Sequence, residues 1–161
     1  MDSALLGEVN FVNFPHLEAS LARRTSDKTP RYNCIAWAAG DHRRKWWPNA
    51  GKEAFWPHSV AGNATTAAFV DAFRTKGYTE CADGTLEPGH EKVALYVDGN
   101  AVRHAARQLV DGKWTSKLGD GPDIEHEILD VEGPLYGKAT VFLKRETGAA
   151  RSTSEKKRKR R

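Results

Sequence analysis

From Tyr78 onward the chain breaks into short β-rich segments separated by glycine-bearing turns, and this limits the folds open to it. "KVALYVD" (92–98), "AVRHAARQLV" (101–110), "KWTSKLG" (113–119) and "KATVFLKR" (138–145) are rich in β-branched or aromatic residues. "DGN" at 98–100 and "DG" at 111–112 are hairpin signals. Parallel pairing would need crossovers of a dozen or more residues, so the first three segments must form an antiparallel meander. Between the third and fourth, "GPDIEHEILDVEGPLYG" (121–137) suggests a short helix around Ile124 to Asp130. No internal repeat is visible.

The helices come first. "LEASLARR" (17–24) reads as one or two helical turns, and "TSDKTP" (25–30) as a loop after which a new element begins. In "YNCIAWAAG" (32–40), Asn33 can cap a helix whose first residue is Cys34, and Gly40 suits its end. This helix is apolar all round, so it should be buried. In "TTAAFVDAFRTKGY" (65–78), Ala68, Phe69, Ala72 and Phe73 recur at helical spacing behind a threonine cap. The connection over 41–64 holds Trp46, Trp47 and Trp56, and loops that long commonly line a groove. Helices followed by an antiparallel meander make an α+β domain over residues 1–145.

Residues 146–161, "ETGAARSTSEKKRKRR", have no aromatic or large aliphatic residue and read as a disordered tail. The net charge of +4 resides there. Lys156, Lys157, Arg158, Lys159, Arg160 and Arg161 are six of the 25 basic residues, so residues 1–155 carry an excess of acid. A nucleic-acid-binding body should carry its charge on a folded patch. The tail alone has the composition of a nuclear-import signal or an anchor for nucleic acid or another anionic surface. No run approaches a membrane span and no signal peptide is seen, so the cytoplasm is the default location; secretion without a signal peptide, or nuclear targeting, stays open. Two cysteines, Cys34 and Cys81, are expected as thiols in such a compartment.

Cys34 opens a helix, where the dipole and unpaired N–H groups favour a thiolate and could receive an oxyanion. The base it needs can be distant in sequence. His16, His42, His58 and His90 lie in loops or among charges, whereas His104 sits within a predicted strand. A two-residue turn at Asp111 and Gly112 pairs Gln108 with Thr115 and Ala106 with Lys117. Thr115 and Lys117 would then flank His104, and Ser116 would point away. No cysteine or histidine pair has metal-ligand spacing, and no cofactor motif is present. The plain alternative is that Cys34 is a small core residue and His104 a hydrogen-bonded one.

The pieces "YNCIAWA", "HAA", "SKLG" and "DIEH", with a final "YG" strand, resemble uncharacterised bacterial relatives of the NlpC-type branch of papain-like cysteine hydrolases. The resemblance spans about residues 31–145. It implies a papain-like fold, with the Cys34 helix on an antiparallel sheet of four to five strands. It also makes Cys34 the nucleophile and His104 the base. The residue orienting His104 is left open among Thr115, Ser116 and Asp120, with His126 and Asn33 as supporting candidates. Trp37, Trp46, Trp47 and Trp56 would line a groove for a peptide or acyl substrate. The expected activity is hydrolysis or acyl transfer at an amide, thioester or ester; a non-catalytic peptide- or protein-binding module is the alternative.

Overall fold

The computed structural model describes residues 12–17, 20–148, 156, 158 and 159. In chain order it comprises β1 (Arg23–Arg24), α1 (Cys34–Ala38), a 3-10 turn (Gly51–Glu53), α2 (Thr66–Arg74), β2 (Thr79–Cys81), β3 (His90–Asp98), β4 (Ala101–Gln108), β5 (Trp114–Lys117), β6 (Asp123–His126) and β7 (Lys138–Glu146). One sheet contains all seven strands in the order β1-β6-β5-β4-β3-β7-β2, and every pairing is antiparallel.

This corrects the expected architecture. The sheet has seven strands instead of four to five, and the two α-helices packed on it, α1 and α2, are short. A papain-like arrangement is therefore not what the chain adopts. Two causes are local. The edge strands β1 and β2 have two and three residues, too short to leave a periodic pattern. The segment expected as a helix around Ile124 contains β6, because alternation puts Ile124 and His126 on one buried face while β5 supplies a ladder partner. Arg23 and Arg24, expected to be helical, pair with Glu125 and Ile124.

Each face of the sheet has its own core. On one face α1 and α2 pack through Ile35, Ala38, Phe69 and Phe73 against Val93, Leu95, Val102, Ala105 and Leu143. The alternate residues Ala94, Tyr96 and Ala106 point to the other face. There Phe14, Leu17, Val131 and Tyr136, from irregular segments, close over them with Trp114 and Ile124.

The β4–β5 hairpin fixes the sides of the candidate residues. Leu109 N–H donates to Lys113 O at 2.7 Å and Gly112 N–H to Leu109 O at 3.0 Å, so the loop holds three residues, with Gly112 left-handed at φ 90°. Glycine at that position is the usual device of a three-residue hairpin. Arg107 therefore faces Thr115, and Gln108 faces Trp114. A one-residue slip flips every side chain. Ser116 accordingly shares the His104 face, while Thr115 and Lys117 lie with α1, the reverse of the expectation.

Candidate functional site

Asn33 builds the start of α1. Its Oδ1 accepts from Ala36 N–H and Trp46 N–H, both at 3.1 Å, and its Nδ2 donates to Trp46 O at 2.8 Å. One side chain thus caps the helix and ties it to the tryptophan-bearing connection. Gly40, left-handed at φ 85°, ends it as expected.

Cys34, buried against the sheet, lies where β4 has an open edge. Arg107 and Gln108 of β4 pair with β5, and its start is held by the Thr65–Ala101 bridge and by Val102 N–H donating to Ala64 O at 2.8 Å, so only the stretch between them is unpaired on that side. There the Ala105 N–H reaches the sulfur, alongside the N–H groups of Ile35 and Cys34 itself. Burial nevertheless dominates and pushes the thiol up to about 11, against those donors and the Lys117 charge. The resting group is a neutral thiol.

His104, the residue before Ala105, points to the other face. Its ring stacks on Tyr136 (centroids 3.9 Å apart, 8° between planes) and meets Tyr96 edge-on at 5.2 Å. It is fully buried, and neither ring nitrogen has a hydrogen-bond partner. Burial, followed by the nearby His126, holds its pKa well below the usual histidine value. Cys34 and His104 are thus neighbours through the β4 backbone but are not hydrogen-bonded. Tyr136 stacks on His104, and burial, with a smaller electrostatic contribution from Cys34, raises its phenol pKa.

The supporting candidates divide between the two faces. Ser116 Oγ lies 2.5 Å from His126 Nε2, and His126 Nδ1 lies 2.6 Å from Glu127 O, an acceptor only. Nδ1 therefore carries the proton, and Nε2 accepts from the Ser116 hydroxyl. Ser116 is already committed to His126 and is not bonded to His104. Thr115 accepts from Trp37 Nε1 at 3.1 Å on the Cys34 face. Asp120, two-thirds exposed, pairs with Lys45 at 3.1 Å, away from either ring. Lys117 is fully buried and, as an ammonium, cannot accept a hydrogen bond from an imidazole. Its Nζ donates to Gly119 O and Gly121 O, each at 2.6 Å, beneath the Tyr32 ring and beside Asp123. The turn over residues 117–121 thus forms a carbonyl collar around a cation.

The tryptophans do not form one groove wall. Trp46 is wholly buried and donates to Asp41 at 2.9 Å, whereas Trp47 and Trp56 pack edge-on against Phe69 of α2. Trp37 alone flanks the thiol region, stacked on Tyr32 and under Arg107. No group of three or more metal-ligating side chains occurs among the described residues, and no described helix is long and apolar enough to cross a membrane. In the tail, Lys156, Arg158 and Lys159 are exposed; Lys157, Arg160 and Arg161 lie outside the described residues.

A family model described only as a domain of unknown function, DUF7689, matches residues 23–144, from β1 into β7. No curated protein and no solved structure matches the chain.

Proposed function

The chain belongs to the DUF7689 family, so its activity has to be read from its own residues, and we propose that it is a cysteine hydrolase or acyl transferase acting on an amide, thioester or ester. One observation carries this reading. His104 is fully buried with both ring nitrogens unpaired, and the next residue's N–H meets the Cys34 sulfur. A buried polar ring left without partners is costly, and a catalytic role is one of the few reasons to retain it.

In this mechanism Sγ attacks the acyl carbon while its proton passes to His104. The N–H groups around the sulfur receive the developing oxyanion. Collapse of the adduct breaks the bond to the leaving group, which takes the proton from His104. Water, or an acceptor nucleophile, then attacks the thioester in the same way and returns Cys34 to the thiol. The ring projects to the opposite face of β4 from the sulfur, so this transfer requires the strand around His104 to turn the imidazole toward Cys34 when substrate binds.

The neutral thiol favours a second reading, a non-catalytic module that binds a peptide or protein. A thiol-reactive acyl probe separates the two. The catalytic reading expects mass addition at Cys34 that disappears in Cys34→Ala, is unchanged in Cys81→Ala, and falls about 100-fold in His104→Gln. The binding-module reading expects labelling that ignores residue 104 and simply follows thiol ionisation, rising about tenfold per pH unit until pH 11 or so. Labelling that survives Cys34→Ala ends the catalytic reading.

We also propose that the basic tail binds anionic polymers by counterion release. Deleting residues 156–161 should abolish retention on heparin or DNA while leaving the unfolding midpoint unchanged. Salt-dependent retention by the truncated chain would place the binding on the body instead.

A further inference from the structure

We propose that Arg107 is the anion-receiving residue of the Cys34 site, so that the acyl compound reaching the thiol carries a carboxylate. This rests on the catalytic reading above and adds the substrate's charge. Arg107 lies two residues beyond Ala105 on the same strand and the same face, about 7 Å from the N–H that meets the sulfur. Its guanidinium sits 5.0 Å from the ring centroid of Trp37, a residue of the Cys34 helix. That indole is itself pinned, because its N–H donates to Thr115, the cross-strand partner of Arg107. The guanidinium is held by one face, with its edges left for hydrogen bonding.

Those edges are unused. Arg107 Nε is buried without a hydrogen-bond partner, and among the described residues no carboxylate pairs with this side chain. Arg145, comparably half-buried and also over an aromatic ring, is paired with Glu91 at 2.7 Å. Lys117 does not compete for the role. Two of its three donors are taken by Gly119 O and Gly121 O, so it contributes charge on the same face but no two-pronged donor edge. The missing partner of Arg107 is a planar group with two acceptor oxygens, which a carboxylate supplies to Nε–H and a neighbouring N–H together.

Alkylation tests this without requiring turnover. At pH 9, the iodoacetate-to-iodoacetamide rate ratio at Cys34 should exceed that at Cys81 at least tenfold. Arg107→Gln should bring it down to the Cys81 value, with the iodoacetamide rate unchanged within twofold. A ratio indifferent to Arg107→Gln overturns the proposal. In a Cys34→Ser protein, titration with succinate should shift the Arg107 Nε–H resonance, and a resonance that does not move also overturns it. Failure of the acyl probe at Cys34 with a responsive Arg107 would end the catalytic reading and leave the anion site standing.

Discussion

Gly137→Ala should destabilise the protein by about 3 kcal/mol or more, lowering the midpoint of thermal unfolding by about 6–12 °C. Gly137 has φ 76°, and a Cβ there would stand 2.2 Å from Val97 O, 2.6 Å from Val97 C and 2.9 Å from Asp98 N. All three are main-chain atoms of the β3 end, so no side-chain rotation relieves the clash. Gly137 and Gly133 also exchange backbone hydrogen bonds at 2.8 and 3.2 Å, closing the turn that carries Tyr136. Any shift that accommodates the methyl group therefore moves the ring stacked on His104. Gly99→Ala is the control: its φ is 61°, but nothing lies within 4 Å of the added atom. It should cost only the left-handed backbone penalty, about 1–2 kcal/mol. Equal losses in the two variants would show that the close approach at Gly137 does not matter.

Acidification from pH 6.5 toward 4 should remove about 3 kcal/mol of stability through His126 alone. Burial lowers its pKa from 6.5 to about 4, against the partly offsetting hydrogen bond to Glu127 O. The folded state holds the neutral ring while the unfolded chain takes up a proton below 6.5. The stabilisation is thus complete above the unfolded value and is lost as pH falls to the folded one. His104, lowered for the same reason, acts in the same direction. Urea midpoints measured across this range should fall steeply in the wild type, and His126→Gln should flatten the curve. A wild-type profile flat to pH 5 would mean that these rings are not held neutral.

The parts of the chain that sequence pattern revealed were those whose local and tertiary preferences agree. The cap of α1 is the expected Asn33 and that of α2 is Thr65, one of the two threonines, 65 and 66, that could serve, and Gly40 and Gly77 both take left-handed backbones after those helices. Strands β3, β4, β5 and β7 fall within the four segments that patterning marked, apart from the ends of β3 and β7. Sidedness was the loss. "DG" at 111–112 is compatible with loops of two or three residues, and that single residue decides whether Ser116 or Thr115 shares a face with His104. The placement of β7 between β3 and β2 depends on long-range pairing that no local signal records. Tyr136, Arg107 and Lys117 were present in the quoted segments, but their roles come from stacking, an unpaired edge and a carbonyl collar, which only packing reveals.

The two outermost strands, of two and three residues, bear on how the protein behaves when crowded. A sheet border is a template on which another chain can extend the ladder, and the risk grows with the length of flat, unpaired backbone. Here β1 is two consecutive arginines, with Arg23 drawn to Glu125, and β2 is Thr-Glu-Cys beside the lysines at 92 and 144. An incoming strand would find two or three rungs and a row of charges. The long, apolar strands that could seed a fibre are enclosed in the middle of the sheet, so concentrated solutions of the folded protein should resist templated aggregation.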